Sequence, residues 1–212
     1  MTGRAKKIRL ENFADDIASE VALTPAIYRA FATVDREAFV PAGFQRWAYK
    51  LDALPIKGNQ WISSPLTVAR MTVYLEPEGA DNVLEIGCGS GYQAAILSRI
   101  VRRVFTIERI DALLKEARER FKRLDIHNIH TRLDDGQRGW RQYAPFERIL
   151  FSASTPAVPP AIFDQLADGG ILVAPIEKGS RQIITRYKKK GETLNEETME
   201  SCLFVPVKDG IE

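Results

Sequence analysis

A glycine-rich turn with an acidic residue just before it is the first feature of the chain that could do chemistry. The turn, Gly-Cys-Gly-Ser-Gly at 87–91, follows the apolar run 83–86 and precedes a helical pattern. Its glycines permit a sharp bend and close approach of a ligand, toward which the N–H groups of the next helix point. The spacing differs from the G-x-G-x-x-G of dinucleotide binders, and no G-K-[ST] follows. Glu85 would repel a pyrophosphate and favours a ligand with a cationic ammonium group.

Acidic residues also follow the next two segments that are predicted to be strands. Glu108 lies 17 positions beyond Gly91 (108 − 91) and ends the run 104–107. A carboxylate there can accept hydrogen bonds from both hydroxyls of a ribose. Asp134-Asp135-Gly136 follows the run 129–133, where a carboxylate can accept from the exocyclic amine of adenine. An adenosine that carries an amino acid is S-adenosylmethionine, and the pattern predicts it as the cofactor, released as S-adenosyl-L-homocysteine.

These acids can contact one ligand only if a parallel sheet brings the carboxyl ends of their strands together. From Asn82 onward, short apolar runs alternate with amphipathic helical patterns, which is typical of a doubly wound α/β fold. Two further segments, 182–187 and 198–207, are joined by a polar turn and must pair antiparallel. The sequence predicts a Rossmann-like sheet that ends in an antiparallel hairpin. Its earlier strands are expected at 83–86, 104–107, 129–133, 148–151 and 171–176.

The N-terminal part carries helices and a loop. Thr24-Pro25 predicts a helix start, with a hydroxyl at the N-cap and proline at the first helical position. Residues 53–65 are predicted to be a loop. With no linker in the sequence, we expect a single domain over 1–212. It divides into N-terminal helices with the active-site loop (1–75), a cofactor-binding core (80–177) and C-terminal antiparallel strands (181–208).

The composition limits the classes of partner that the protein is expected to bind. Lys and Arg total 30 against 28 Asp and Glu, so binding to nucleic acid by bulk charge is not expected. The two cysteines, Cys88 and Cys202, form neither a disulfide framework nor a zinc motif. No run approaches the roughly 20 apolar residues of a membrane helix. We expect a cytoplasmic, soluble protein, a monomer, with no membrane or nucleic-acid partner and no metal.

Several stretches resemble the protein-L-isoaspartate O-methyltransferase family. Gly-Ser-Gly-Tyr-Gln at 89–93 and Ile-Ser-x-Pro at 62–65 are its most specific motifs, and Leu203–Pro206 is similar to its final strand. The resemblance implies a class I S-adenosylmethionine-dependent methyltransferase fold, with seven strands and a reversed terminal hairpin. The matching segments span about residues 30 to 175, at 34–40, 53–56, 62–71, 83–95, 135–146 and 165–170.

The resemblance also implies a reaction. A methyl group passes to the α-carboxylate of an L-isoaspartyl residue in a damaged protein or peptide, and the ester collapses to a succinimide whose hydrolysis restores some aspartate. A carboxylate is already ionised at neutral pH, so the enzyme needs positioning groups and a closed pocket instead of a strong base. The chain agrees with this requirement, because neither of its two histidines lies in a candidate loop.

By the same resemblance, Ser63 is the catalytic residue, whose hydroxyl would hold the substrate carboxylate. Trp61, Ile62 and Ser64 would line the substrate pocket, with a lesser role for Ser64. The residues implied for the cofactor are Glu85, Gly87, Cys88, Gly89, Ser90, Gly91, Glu108, Arg109, Asp135 and Gly136.

Two departures from the family pattern leave alternatives open. Trp61 stands where many relatives have threonine, and either packs as a hydrophobic ceiling, which its burial area favours, or changes which peptide fits. Asp134 stands where the family commonly has glycine, so either Asp134 or Asp135 could form the hydrogen bond with adenine. The alternative functions are a methyltransferase for another carboxylate acceptor and a non-catalytic protein that binds S-adenosylmethionine.

Overall fold

Three helices and a small β-hairpin precede the central sheet in the computed structural model, which describes residues 3–212. Met1 and Thr2 of the predicted domain lie outside the described residues. The helix predicted after Thr24-Pro25 is confirmed, and its Thr24 Oγ1 accepts a hydrogen bond from the Ile27 N–H at 3.3 Å. Two 3-10 helices, Arg36–Phe39 and Ala42–Trp47, connect it to the hairpin. The elements are α1 (Gly3–Ala18), α2 (Pro25–Phe31), β1 (Leu54–Ile56), β2 (Gln60–Ile62) and α3 (Pro65–Leu75).

The hairpin of β1 and β2 occupies the segment predicted to be a loop, so that prediction was wrong. The two strands pair antiparallel, with Leu54 opposite Ile62. Gly58 and Asn59 both have positive φ (67° and 52°) and are the central residues of a turn in which the Gln60 N–H donates to the Lys57 carbonyl at 3.3 Å. The sequence pattern missed it because each strand has three residues and β1 contains Pro55, which is tolerated on an edge strand only.

The central sheet has seven strands in the order β5-β4-β3-β6-β7-β8-β9. The strands from β5 to β7 are parallel, and β8 and β9 add an antiparallel hairpin, as predicted. The remaining elements are β3 (Asn82–Ile86), α4 (Tyr92–Leu97), β4 (Arg103–Glu108), α5 (Asp111–Arg123), β5 (Ile129–Leu133), β6 (Phe146–Phe151), α6 (Pro160–Phe163), β7 (Leu166–Lys178), β8 (Arg181–Lys190) and β9 (Thr193–Cys202).

The last strand begins and ends earlier than the sequence pattern indicated. β9 covers Thr193–Cys202, so the predicted strand at 198–207 was wrong in its second half. The chain leaves the sheet there and crosses to the loop after β6. The Val205 carbonyl accepts from the Ser154 N–H at 2.8 Å, and the Val207 N–H donates to the Ser154 carbonyl at 2.7 Å. We call residues 203–212 the C-terminal tail.

The strand order places a crevice at the carboxyl end of β3. From β3 the chain runs outward through β4 and β5 and then returns to β6 on the other side of β3. Ligands of open α/β sheets bind at this reversal, outside the carboxyl ends of the strands. Near this reversal the side chains of the sheet are buried on both faces. Val83, Val104 and Leu150 pack toward the N-terminal helices, and Leu84, Phe105 and Ile149 toward the face of α6.

Within residues 3–212, no helix combines the length and apolar character needed to span a membrane. The expected division of the chain into one domain over 1–212 stays a prediction.

Candidate active site

One cavity opens at the carboxyl ends of β3 and β4, and it encloses about 1000 Å³ including its mouth. This is the upper end of the range for small-molecule sites. The glycine turn forms its floor, β2 and the start of α3 form one wall, and the C-terminal tail forms another. The sequence-predicted residues along it are Trp61, Ile62, Ser63, Glu85, Gly87, Cys88, Gly89, Ser90, Glu108, Arg109 and Gly136.

Glu85 is the fully buried acid of this cavity. It lies on β3 opposite Thr106 of β4, whose Oγ1 donates to Oε2 at 2.6 Å. The Ser152 hydroxyl, just after β6, donates to Oε1 at 3.0 Å. Burial, together with a smaller effect of the nearby Glu108, raises the pKa of Glu85 to about 8, although these hydrogen bonds act in the opposite direction. Among the described residues no cationic side chain pairs with it, so a cationic ligand group would supply the missing partner.

The glycine turn is held tightly against the neighbouring strands. Gly87 and Cys88 donate their N–H groups to the Ile107 carbonyl at 2.9 and 3.1 Å. Gly91 has a φ of 88°, and a Cβ added there would lie 2.7 Å from the Phe121 ring of α5. A side chain at position 91 would therefore push α5 away from the turn. Burial raises the pKa of the Cys88 thiol well above its ordinary value, so the group is a neutral thiol and not a nucleophile.

Glu108 is fixed by backbone N–H groups on both of its carboxylate oxygens. Oε2 accepts from Gly89 at 2.7 Å, and Oε1 accepts from Arg109 and Ile110 at 2.9 Å each. The side chain is 6% exposed, and this remaining surface faces the cavity. Because Oε2 makes a single hydrogen bond, it keeps a lone pair for a ligand hydroxyl.

Ser63 and Ser64 have different environments although they are neighbours. Ser63 lines the cavity, and its hydroxyl forms no hydrogen bond with another described residue. The Ser64 Oγ instead accepts from the Thr67 N–H at 3.1 Å and caps the N-terminus of α3. Ser64 does not line the cavity. The free hydroxyl of Ser63 is therefore the one that can reach a ligand.

Trp61 and Ile62 lie on β2 with opposite exposure. Ile62 is 4% exposed and closes the wall beside Ser63, whereas Trp61 is 54% exposed at the cavity mouth. A half-exposed indole does not form a buried ceiling. This exposure favours the other interpretation, in which Trp61 changes which peptide fits.

The expected adenine-binding region is in contact with the C-terminal tail. The Asp135 carboxylate accepts from the Gln137 N–H at 3.0 Å and from the Gly210 N–H at 3.2 Å, and it does not line the cavity. The Arg109 guanidinium donates to the Gly210 carbonyl at 3.1 Å and pairs with Glu212 at 2.9 Å. Asp134 forms an ion pair with Arg132. Gly136 lines the cavity directly.

Sequence reasoning missed three components of the site. Thr106 and Ser152 hold Glu85 through their hydroxyls, and nothing in the local pattern distinguishes them from other strand-end residues. Residues 204–208 of the tail line the cavity. Leu203–Pro206, predicted to belong to the last strand, lies in this tail instead. Within residues 3–212, no group of three or more His, Cys, Asp or Glu side chains could hold a metal ion.

The site can hold a nucleoside with a cationic substituent and orient an acceptor beside it. A buried acid without a cationic partner, a fixed carboxylate at the next strand end and a glycine turn fit such a ligand, and Ser63 supplies a hydrogen-bond donor. Together with the strand order, this arrangement defines a class I methyltransferase.

The comparisons with known proteins give the family. A family model described as protein-L-isoaspartate(D-aspartate) O-methyltransferase matches residues 10–212. The protein-L-isoaspartate O-methyltransferase of Helicobacter pylori (strain G27) is 52% identical over 199 residues, which cover 93% of this chain and 95% of the relative. That of Maricaulis maris (strain MCS10) is 46% identical over 181 residues, 85% of each chain. The chain belongs to the protein-L-isoaspartate(D-aspartate) O-methyltransferase family.

Solved structures agree with the fold. A structure named protein-L-isoaspartate O-methyltransferase aligns with a TM-score of 0.87 at 26% identity over 95% of this chain, which spans 66% of that longer chain. A putative protein-L-isoaspartate O-methyltransferase from Plasmodium falciparum, in complex with S-adenosyl-L-homocysteine, aligns with a TM-score of 0.82 at 20% identity. The alignment covers 94% of this chain and 98% of the Plasmodium falciparum chain. At this identity the match shows the fold alone.

Proposed function

We propose that this chain is a protein-L-isoaspartate(D-aspartate) O-methyltransferase that methylates the α-carboxylate of L-isoaspartyl residues in damaged proteins and peptides. The methyl ester then collapses to a succinimide, which begins repair. The observation that carries the proposal is that a single cavity contains both the buried acid Glu85 and the free hydroxyl of Ser63. Family membership supports the choice of acceptor.

The cofactor of this reaction is S-adenosylmethionine, and the described residues fit it. When bound, it supplies an electrophilic methyl group on a positively charged sulfur. Ionised Glu85 would bind the ammonium group, Oε2 of Glu108 would accept from the ribose, and the turn at 87–91 with Gly136 would contact the rest of the nucleoside. Asp135 and Arg109 would act at the adenine end, where the C-terminal tail already engages both.

The chain contributes to transfer by orientation and by exclusion of water. The Ser63 hydroxyl would donate to one carboxylate oxygen of the substrate and leave the other free to react. No general base is required, because the acceptor is ionised at neutral pH. Buried apolar side chains beside Ser63, among them Ile62, Val68 and Met71, limit water near the reacting oxygen.

A methyl-transfer assay on paired peptides tests the proposal. The two peptides differ only in isoaspartyl or aspartyl at one position, and the donor carries a labelled methyl group. We expect base-labile label in the isoaspartyl peptide alone. Transfer to a small-molecule carboxylate but not to the peptide would favour a different acceptor. Binding of S-adenosyl-L-homocysteine without any transfer would favour a non-catalytic binding protein.

A pair of serine variants tests the role of Ser63. Ser63→Ala should lower turnover with little change in the affinity for S-adenosyl-L-homocysteine. Ser64→Ala is the matched control, because it removes the helix cap at a cost of about 1 kcal/mol in stability but leaves the cavity hydroxyl in place. Equal turnover in the two variants would remove Ser63 from the mechanism.

We further propose that the protein works as a monomer in the cytoplasm and has no nucleic-acid or membrane partner. The near balance of 30 basic and 28 acidic residues supports the absence of a nucleic-acid partner.

A further inference from the structure

Arg36 is a fully buried arginine, with 0% exposure, at the start of the first 3-10 helix. No carboxylate pairs with it among the described residues. Its guanidinium donates instead to four backbone carbonyls that come from distant positions in the chain. The acceptors are Ala48 at 2.8 Å, Lys50 at 3.2 Å, Asp52 at 2.9 Å and Ser63 at 3.1 Å.

The last of these contacts links Arg36 to the proposed catalytic residue. Ser63 lies between β2 and α3, and Nη2 of Arg36 holds its carbonyl while its hydroxyl remains free. Arg36 itself does not line the cavity, so it holds the Ser63 peptide from behind. The same Nη2 donates to Asp52, and thereby ties the segment before the β1–β2 hairpin to the residue that follows it.

A second contact fixes the guanidinium relative to the cofactor side of the cavity. Its central carbon lies 5.8 Å from the ring centre of Tyr92, the first residue of α4. Tyr92 lines the cavity directly after the glycine turn and is 1% exposed. Arg36 therefore touches the structural support of both halves of the site.

A charge buried without a carboxylate partner is costly to the fold. Burial lowers the pKa of the Arg36 guanidinium below its ordinary value, but an arginine remains protonated in proteins. Only a planar group with several N–H donors in a fixed fork can serve four carbonyls at once, and a lysine ammonium has three donors on one atom.

We propose that Arg36 is a positioning residue for methyl transfer, whose hydrogen bond to the Ser63 carbonyl sets where the Ser63 hydroxyl meets the acceptor. The proposal rests on the function proposed above. A residue that only stabilises the fold would affect the rate of methyl transfer equally with and without the Ser63 hydroxyl. For Arg36 we expect a loss of rate that depends on this hydroxyl. A misplacement of about 1 Å can lower a rate by up to about 100-fold.

The test compares Arg36→Lys with Arg148→Lys, each in the wild-type and in the Ser63→Ala background. Arg148 is a matched control, because it also donates to backbone carbonyls, those of Glu76 at 2.7 Å and Glu147 at 2.8 Å, but it does not line or support the cavity. The rate of single-turnover methyl transfer to the isoaspartyl peptide is measured at low temperature, where destabilised variants remain folded. The rate is expressed per active site, and the number of active sites is determined by titration with S-adenosyl-L-homocysteine.

With Ser63 present, we expect Arg36→Lys to lower the rate of transfer about 10- to 100-fold, with the affinity for S-adenosyl-L-homocysteine within about twofold of wild type. In the Ser63→Ala background the same change should have less than about a twofold further effect. Arg148→Lys should lower stability and leave the rate per site unchanged in both backgrounds.

An equal loss with and without the Ser63 hydroxyl, or an unchanged rate, would overturn the proposal. So would failure of both Arg36→Lys and Arg36→Gln to bind S-adenosyl-L-homocysteine, since Arg36 would then be needed for the fold as a whole. If the wild-type protein transfers no methyl group to the isoaspartyl peptide, the proposed function fails instead.

Discussion

Replacing Glu85 with glutamine should make the protein increasingly more stable than the wild type as the pH rises. The same change should weaken cofactor binding. In the folded protein burial raises the pKa of Glu85 to about 8, whereas the ordinary value is 4.5. Between these values the folded state holds a proton that the unfolded state has released. The stability of the wild-type protein therefore falls as the pH rises through this interval. Glutamine does not titrate, so the variant lacks this loss.

The size of the effect follows from the two values. They differ by about 3.5, and 1.36 kcal/mol per pH unit gives at most about 5 kcal/mol. Glutamine has nearly the shape of glutamate, and the hydroxyls of Thr106 and Ser152 can accept from its amide as well as donate to it. The stability advantage of the variant should grow between the two pKa values and stay level above about 8.

Urea unfolding at several pH values measures the difference in unfolding free energy between Glu85→Gln and wild type. Glu116→Gln is the control with the opposite sign, because hydrogen bonding to Lys57 lowers the pKa of Glu116. That variant should lose stability at neutral pH and approach wild type in acid. Calorimetry should show that Glu85→Gln binds S-adenosyl-L-homocysteine more weakly. If the stability advantage of Glu85→Gln over wild type stays constant or shrinks between pH 4.5 and pH 8, the assignment of a protonated, buried Glu85 is refuted.

Three further variants test other parts of the site. Glu108→Ala should weaken binding of S-adenosyl-L-homocysteine by about 1.5–3 kcal/mol, the range for hydrogen bonds to a charged group, and unchanged calorimetric affinity would argue against it as a ribose acceptor. Trp61→Thr should raise KM for isoaspartyl peptides with apolar neighbours and leave kcat nearly unchanged in steady-state assays; a lower kcat at constant KM would contradict this. Gly91→Ala should lower the thermal unfolding midpoint more than Gly79→Ala, because both glycines have positive φ but only the first has a ring, that of Phe121, in the way of a Cβ; equal midpoints would contradict the clash.

Most of the fold was predictable because it is encoded in local patterns. The strand expected at 129–133 matches β5, and the other parallel strands begin within five residues of their predicted starts. The apolar runs of β3, β4, β6 and β7 are typical of strands buried on both faces, whereas β5 lies at the edge of the sheet and is only partly buried. The β1–β2 hairpin was missed because two three-residue strands carry too little periodicity, and its turn at Gly58-Asn59 was the only local signal.

The site was predictable where one segment carries both the chemistry and its position. Glu85 and the glycine turn are adjacent in sequence, whereas Ser63 was expected only through the family resemblance. The C-terminal tail could not be placed from its sequence, because its contacts lie far away in the chain. Gly210 contacts Asp135 across 75 positions, and the Arg109 guanidinium contacts Glu212 across 103.

Arg36 and Glu85 share one physical property that separates them from the rest of the interior. Both are fully buried ionisable groups that form no ion pair with an oppositely charged side chain among the described residues. Selection for stability alone would favour apolar replacements at such positions. Glu85 faces the cavity, where a cationic ligand would pair with it, while Arg36 faces the backbone that carries Ser63. The cost to the fold is therefore concentrated at two points, one proposed to bind the donor and one proposed to orient the residue that meets the acceptor.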